Sequence, residues 1–233
     1  MTSSTALLLF TKTTLQEAVG KQFIRSNKAK SRKISQKLIS NSLHRIKKSG
    51  IPYYVLYSPE QRGNSFGERL TNAIEDIFSL GYRNVIAVGN DSPQLSPQLL
   101  IHAADEMSRT DLILGPDKRG GIYLLGISQK AYNRKELLGF RWNTPGLCAD
   151  FIKWKGECQL AFIILPVLRD VNCESDLQSL LKQKYVTLQL LDALLSILAS
   201  SAAATIQEVI FLKNLSAQNS IGRRGPPYCV FSS

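Results

Sequence analysis

The sequence predicts an α/β fold whose central sheet is mainly parallel and is covered by helices on both faces. Short apolar runs suited to buried strands alternate along the chain with segments in which apolar residues recur at helical spacing. The 233 residues include 44% hydrophobic and 20% charged residues. This is a globular composition, at a length that buries roughly 70% of the unfolded surface. These observations exclude a fully disordered chain, a collagen and a disulfide-stapled miniprotein.

Six short apolar runs predict buried strands. The first, at residues 6–10, is shorter than the hydrophobic region of a secretion signal and follows no basic segment, so it suits a first strand better. Residues 11–31, which follow it, are polar and basic and are interpreted as a connection. The other five predicted strands lie at 53–57, 85–88, 112–114, 122–126 and 160–165.

Helices are predicted where apolar residues repeat every three or four positions and capping residues stand at the ends. Gly50 and Gly81 each follow an amphipathic stretch and suit a helix C-terminus. Ser96-Pro97 and Thr144-Pro145 each place a hydroxyl cap before a proline at the first helical position. The helices predicted in this way lie at 34–50, at 67–80, after Ser96, from 144 to about 155, at 174–182 and at about 186–203.

The formal net charge of +11 is concentrated in one segment. Residues 1–50 hold 11 Lys and Arg residues and a single acid, Glu17, whereas the other 183 residues carry a net charge of only +1. A basic segment of this kind can bind the phosphates of a small ligand, nucleic acid or an acidic membrane surface, or can be a solvated helix face. Nucleic acid is disfavoured, because Phe10 and Phe23 are the only aromatic residues there and cannot form a stacking ladder.

The cysteines and the hydropathy pattern bear on metal binding and location. Four cysteines stand apart without metal-binding spacing, and the chain has only two histidines. This favours reduced thiols over a zinc site or a disulfide framework. No apolar run reaches the length of about 18 residues that a transmembrane helix needs. We therefore expect a cytoplasmic protein without a membrane span.

Polar residues follow four of the predicted strands: Lys12, Asp91, the run Arg119-Gly120-Gly121, and Asp170. Because sheets of this class bind ligands beyond the carboxyl ends of their strands, these residues are predicted to line one cleft. Asp91 can bind a Mg²⁺ or Mn²⁺ ion that bridges a diphosphate, and Asp170 can complete the same cation site. The alternatives are an Asx-turn at Asp91, a helix-entry acid at Asp170 and a simple hairpin at the glycines.

Five ordered motifs carry a resemblance to a known family. They are QRGNSFGERL, GNDSPQLSPQLL, LGPDKRGGIYLLGI, RWNTPGLCADFI and LPVLRDVNCESDLQSL. Over about residues 6–182 the chain resembles the bacterial glycosyltransferase A-like family, which is related to nucleotide-diphospho-sugar transferases. The resemblance implies a three-layer α/β/α, Rossmann-like GT-A fold and, among the relatives, nucleotidyltransferases as well as glycosyltransferases.

The resemblance also implies roles for particular residues. Lys12 matches the first lysine of the family's phosphate-binding loop, and Lys21 can stand in for the second lysine. Together with Arg25, Arg119 and the Gly120-Gly121 pair, these residues are expected to bind the donor phosphates. Glu68 matches a glutamate of the family and is a candidate base, with a helix N-terminal acid as the alternative. Asp91 is the other candidate catalytic residue, and Asp91 with Asp170 forms the candidate metal site.

Three departures from the family pattern weaken the case for a metal. Ser65, Arg119 and Asn172 stand where the family has acids. Asn172 is a neutral ligand, and the Arg119 guanidinium could supply positive charge to phosphates in place of a divalent ion. The expected cofactor is therefore Mg²⁺ or Mn²⁺ with a weakened site.

The function expected from these observations is transfer of a glycosyl group from a nucleotide-sugar. Two alternatives remain: a nucleotidyltransferase that uses a nucleoside triphosphate, and a nucleotide-binding relative whose catalysis is weakened by the lost acids. The resemblance divides the chain into a transferase-like domain at 1–182 and a helical extension and tail at 183–233. An apolar stripe on the extension is predicted either to pack on the sheet domain or to form a homodimer contact.

Overall fold

The computed structural model describes residues 4–182 and 186–200, and in these ranges a six-stranded sheet forms the centre of the molecule. Its strands are β1 Thr5–Thr11, β2 Tyr53–Tyr57, β3 Asn84–Val88, β4 Leu112–Pro116, β5 Ile122–Ser128 and β6 Phe162–Ile164. Their order across the sheet is β2-β1-β3-β5-β4-β6. Each strand coincides with one of the six predicted apolar runs to within two residues at either end.

The sheet is mostly parallel, as predicted, with one reversed strand. β1 pairs in parallel with β2 and β3, and β4 pairs in parallel with β6. β5 runs antiparallel to both of its neighbours, β3 and β4. β5 follows β4 through a tight turn and runs in the opposite direction. The other five strands all point the same way, so their carboxyl ends lie at one edge of the sheet.

Eight helices are described, and five of them cover the two faces of the sheet. They are α1 Thr14–Lys21, α2 Lys28–Ser49, α3 Phe66–Ser79, α4 Pro97–Glu106, α5 Arg134–Gly139, α6 Leu147–Cys158, α7 Glu174–Leu181 and α8 Leu188–Ala199. Helices α3, α5 and α6 pack on one face of the sheet, and α2 and α4 pack on the other. The result is the expected three-layer α/β/α arrangement.

Both faces of β1 are buried, which explains its continuous apolar run. Ala6, Leu8 and Phe10 contact the cluster on one face, and Leu7 and Leu9 contact the cluster on the other. Successive side chains of a strand point to opposite faces, so a strand covered on both faces has no polar alternation.

Two helices were not predicted, and one begins later than predicted. Helix α1 lies in the segment interpreted as a connection, where Thr13 and Gln16 form a capping box that precedes few buried residues. Helix α5 has only six residues. Helix α6 begins at Leu147, because the Thr144 hydroxyl donates to the Arg141 carbonyl oxygen (2.7 Å) and accepts from Gly146 N–H (3.2 Å). That threonine therefore holds a turn before the helix.

The C-terminal extension contributes α8, which packs against α2 and α7. Leu190 and Leu194 are fully buried, together with Leu38 of α2 and Leu177 of α7, whereas Leu195 on the outer side of α8 is half exposed. This is the packing expected for the apolar stripe. The predicted helical residues 201–203 and the tail lie outside the described residues, and the domain boundary and the homodimer contact stay predictions.

Leu194→Ala is expected to lower the free energy of unfolding by about 2–4 kcal/mol, because it leaves a cavity between α8 and α2. Leu195→Ala, on the exposed side of the same helix, is expected to change it by less than about 0.5 kcal/mol. Urea unfolding of both variants measures the difference. Equal stability of the two variants would show that α8 does not belong to the cooperative fold.

Two further features of the described residues concern membrane spans and cysteines. No helix in the described ranges is both long enough and apolar enough to cross a membrane. The three cysteines that fall in those ranges, Cys148, Cys158 and Cys173, are free thiols.

Candidate functional site

Three carboxylates lie at the carboxyl edge of the sheet, each just beyond the end of a parallel strand. Asp91 follows β3, Asp117 follows β4 and Asp170 follows β6. The loops that carry them are tied together, because Val171 N–H donates to the Asp91 carbonyl oxygen (2.8 Å) and Asp117 forms an isolated parallel bridge with Leu168. The loops of Asp91 and Asp170 are therefore neighbours at this edge, and a cleft shared by the two carboxylates stays a prediction.

Asp170 is partly buried beside the other two acids. Its Oδ1 accepts a hydrogen bond from the Ser92 hydroxyl, which favours the charged form. Burial favours the neutral form of Asp170, and so do the nearby negative charges of Asp91 and Asp117. Together they raise the pKa of Asp170 to about 7. A bound cation would favour the ionised form of Asp170.

Asp91 is not held in the Asx-turn that the sequence left open. Such a turn needs a backbone N–H two residues on, and Pro93 has none. The Asp91 carboxylate instead forms an ion pair with the Lys21 ammonium. The ammonium also lies 2.8 Å from Glu17 Oε2.

Lys21 is thus a buried cation between two carboxylates, and its side chain is 11% exposed. Burial lowers the pKa of Lys21, but the nearby charges of Asp91 and Glu17 outweigh burial and raise the pKa overall. The residue was predicted to bind phosphate, and the structure places it on a protein carboxylate at the same edge of the sheet.

The other two predicted phosphate ligands of the basic segment are exposed. Lys12 comes directly after β1, and its Nζ lies 3.9 Å from where a Cβ on Gly20 would stand. Arg25 lies in the turn between α1 and α2. Lys12 therefore stands beside the end of α1, close in the chain fold to Lys21.

The β4–β5 turn needs both of its glycines. Gly120 has φ +85°, and a Cβ there would stand 2.2 Å from the Pro145 carbonyl oxygen. A Cβ on Gly121 would stand 2.5 Å from Asp117 Oδ2. Asp117 Oδ1 accepts hydrogen bonds from the N–H groups of Arg119 (2.5 Å) and Gly121 (3.0 Å). These contacts are those of the hairpin alternative, and phosphate binding by the two glycines stays a prediction.

Arg119 forms an ion pair across the cleft. Its Nη2 lies 2.7 and 2.8 Å from the two carboxylate oxygens of Asp176. Asp176 also accepts hydrogen bonds from the N–H groups of Asn172 (3.0 Å) and Cys173 (3.2 Å), at the start of α7. The hydrogen bond that Arg119 donates to Asp176 raises the pKa of Arg119 above its ordinary value. Arg119 therefore connects the β4–β5 turn to α7 and shares its charge with a protein acid.

A cleft of about 210 Å³ opens beside these residues. Three cations and three acids line it, so it suits a ligand with charged groups. Its lining residues are Asp117, Lys118, Arg119, Arg169, Asp170 and Asp176.

Glu68 occupies a helix-capping position. Its N–H donates to the hydroxyl of Ser65, the N-cap of α3 (3.1 Å), and its Oε2 accepts from Asn64 N–H (2.6 Å). These contacts match the helix N-terminal role that the sequence offered as the alternative. The role of general base stays a prediction.

Sequence reasoning missed three of the acids that shape the site. Asp117 directly follows β4, so the strand-end criterion could have found it, but the family pattern directed attention to Arg119 two residues later. Glu17 is the single acid of the basic segment, which was a usable signal. Asp176 gives no local signal, since its partner Arg119 is 57 residues away in the chain.

The carboxylates fit a hard divalent cation that also takes ligands from a substrate. Within residues 4–182 and 186–200, no three His, Cys, Asp or Glu side chains are grouped closely enough to hold a metal ion by themselves. Mg²⁺ and Mn²⁺ sites in phosphate-handling proteins commonly use one or two carboxylates and complete the shell with phosphate oxygens and water. Asp91 and Asp170, with Asp117 beside them, supply oxygen ligands of that kind.

Comparison with known proteins bears on the fold of the chain. The family profile described as "Uncharacterized protein conserved in bacteria (DUF2064)" matches residues 42–144. A "putative nucleotide-diphospho-sugar transferase" from Desulfovibrio desulfuricans G20 superimposes with a TM-score of 0.75 at 20% identity, over 83% of this chain and 95% of that one. No curated protein matches the chain.

Two mycobacterial structures superimpose less closely. Rv0371c from Mycobacterium tuberculosis H37Rv has a TM-score of 0.53 at 13% identity, over 78% of this chain and 100% of that one. Its homolog from Mycobacterium sp. strain JC1 has a TM-score of 0.53 at 11% identity, over 85% and 98% of the two chains. The chain has the fold of the nucleotide-diphospho-sugar transferases. This is the fold that the sequence motifs indicated.

Proposed function

We propose that the protein binds an activated nucleotide-sugar together with Mg²⁺ or Mn²⁺ and transfers the glycosyl group to an acceptor. The observation that carries this proposal is the convergence of Asp91, Asp117 and Asp170 beside a buried lysine at the carboxyl edge of a transferase-type sheet. Three acids and a cation at this edge match the needs of a metal-bridged diphosphate.

In the proposed mechanism, the protein binds and neutralises the diphosphate of the donor. Asp91 and Asp170 would hold the divalent cation, which when bound stabilises the negative charge that develops on the leaving nucleoside diphosphate. Lys12 and Lys21 would donate hydrogen bonds to phosphate oxygens from the β1 side of the cleft. Arg119 would present its guanidinium from the β4–β5 turn, while Asp176 fixes its position.

Two other activities are compatible with the same site. Nucleotidyl transfer from a nucleoside triphosphate also needs a neutralised polyphosphate at this edge. Binding without catalysis is favoured by one observation, namely that Lys21 pairs with Asp91, the carboxylate that a metal ion would need. The experiment below separates the three.

The first test is calorimetric titration with uridine, guanosine, cytidine and adenosine diphosphates, in chelator and in excess Mn²⁺. The second test supplies nucleotide-sugars or nucleoside triphosphates with sugar 1-phosphates. Release of nucleoside diphosphate indicates glycosyl transfer, and release of pyrophosphate indicates nucleotidyl transfer. Binding without either product indicates the weakened relative. Failure to bind any nucleotide under both conditions would refute the proposal.

Lys12→Ala is expected to weaken binding of the preferred nucleoside diphosphate about tenfold in both chelator and Mn²⁺, because one charge-assisted phosphate contact is worth roughly 1.5–3 kcal/mol. Arg119→Ala is expected to weaken it mainly in chelator, where the guanidinium substitutes for the cation. Lys130→Ala is the control, because Lys130 follows β5 at the opposite edge of the sheet and is 86% exposed. Equal affinity of all four proteins in both media would mean that the basic residues do not bind the donor.

A further inference from the structure

The ion pair between Lys21 and Asp91 places a protein cation at the point where the proposed function needs a metal. Lys21 is the last residue of α1 and Glu17 stands one turn earlier on the same face, so the helix carries an acid and a base side by side. The Lys21 side chain is 11% exposed and that of Glu17 is 6% exposed. The Lys21 ammonium is therefore largely buried, and two carboxylates fix its position.

We propose that Lys21 and the divalent cation compete for the Asp91 carboxylate, so that Lys21 suppresses metal binding until a diphosphate arrives. The inference rests on the proposed binding of a diphosphate donor, and concerns how this chain's own lysine controls that site. An ammonium and a divalent cation on one carboxylate repel each other, and the repulsion is strong where water is largely excluded.

A bound diphosphate removes the conflict. It brings several negative oxygens to the same edge, so Lys21 can leave Asp91 and donate to a phosphate while the metal takes the carboxylate. Metal and diphosphate then bind cooperatively, because each improves the charge balance for the other. The buried Glu17 keeps the ammonium nearby when it leaves Asp91.

The test measures binding of Mn²⁺ alone, by the electron paramagnetic resonance signal of the free ion, and needs no enzymatic activity. Glu17→Gln is the reference protein, because replacing Lys21 in the wild type would leave Glu17 as a buried carboxylate without its partner. The double variant Glu17→Gln with Lys21→Met differs from it only in the ammonium. It is expected to bind Mn²⁺ at least about tenfold more tightly than Glu17→Gln.

Two matched variants separate a direct ion pair from a general effect of positive charge. Lys12→Met removes a neighbouring cation that the structure does not place on Asp91, and is expected to change Mn²⁺ affinity less than about threefold. Lys21→Arg keeps the charge and is expected to leave Mn²⁺ binding weak. Inorganic pyrophosphate should raise the Mn²⁺ affinity of Glu17→Gln about tenfold or more, and that of the double variant much less.

A measurement on the wild type keeps the proposal testable if a variant fails to fold. Acetylation of Lys21, followed by mass spectrometry, should be slow in chelator and severalfold faster when Mn²⁺ occupies the site, with Lys12 as the internal reference. Unchanged labelling, or a double variant that binds Mn²⁺ no more tightly than Glu17→Gln, would overturn the competition.

The outcomes also separate this inference from the proposed function. If the double variant binds Mn²⁺ more tightly but the protein binds no nucleotide, the competition is supported and the proposed binding of a nucleotide-sugar is refuted. If the protein binds a nucleotide-sugar but the double variant and Glu17→Gln bind Mn²⁺ equally, the proposed function is supported and the competition is refuted.

Discussion

Asp91→Asn is expected to lower the affinity for a nucleoside diphosphate in Mn²⁺ by at least about 100-fold, because it removes a metal carboxylate worth more than one charge-assisted contact of roughly 1.5–3 kcal/mol. The fold should survive, since Asp91 is partly exposed and Lys21 keeps Glu17 as its partner. Calorimetric titration measures the affinity, and thermal unfolding in chelator measures the fold.

The control for this variant is Asp105→Asn, which removes an equal charge from the exposed side of α4. It should leave nucleotide affinity within about twofold of the wild type. Unchanged affinity of Asp91→Asn at an unchanged melting temperature would mean that the carboxylate serves only the ion pair with Lys21.

Asp170→Asn is expected to abolish Mn²⁺ binding and yet raise the melting temperature in chelator at pH 8. The pKa of Asp170 is about 7 in the fold, so ionising it costs free energy that the unfolded chain does not pay. A rise in pKa from about 4 to about 7 sets an upper limit of about 4 kcal/mol on the folding free energy that the variant gains, since one pKa unit corresponds to about 1.36 kcal/mol. At roughly 2–4 °C per kcal/mol, the variant should melt several degrees higher.

The stability that Asp170→Asn gains over the wild type depends on pH. Below the unfolded pKa of about 4, Asp170 is protonated in both states and the variant gains nothing. The penalty grows as pH rises towards 7 and is constant above that. Thermal scans of both proteins at pH 4.5 and pH 8 in chelator should therefore show a much larger gain at pH 8 than at pH 4.5. In excess Mn²⁺ the wild type recovers the difference, because the metal binds only its folded state. A variant less stable than the wild type at pH 8 in chelator would contradict the assignment.

The strands of the sheet could be predicted from the sequence because each strand is marked by a short, local pattern of apolar residues. A strand buried on both faces needs a continuous apolar run, and every one of the six strands has one. The same local reasoning located Asp91 and Asp170, since polar residues directly after such runs reach the carboxyl edge. The order of the strands and the reversal of β5 depend on pairing across the sheet, which no local pattern encodes.

The contacts that complete the site could not be predicted, because they join distant parts of the chain. Lys21 reaches Asp91 across 70 positions, and it does so only because residues 14–21 form a helix that the sequence did not indicate. Arg119 was singled out as a new cation, but its neutralisation by Asp176 follows from how α7 packs beside the β4–β5 turn. The family resemblance and the position after a strand identified these residues, and tertiary packing decided their partners.

The antiparallel pairing of β3 with β5 has a consequence for how the molecule unfolds. In the sheet, that pairing alone joins β2, β1 and β3 on one side to β5, β4 and β6 on the other, in the register Asn84↔Ser128 to Val88↔Leu124. Asp91 belongs to the first half, whereas Asp117 and Asp170 belong to the second. A ligand that contacts all three therefore connects the two halves across their boundary. Its binding should slow hydrogen exchange of the backbone amides along the β3–β5 ladder, far from any atom that the ligand touches.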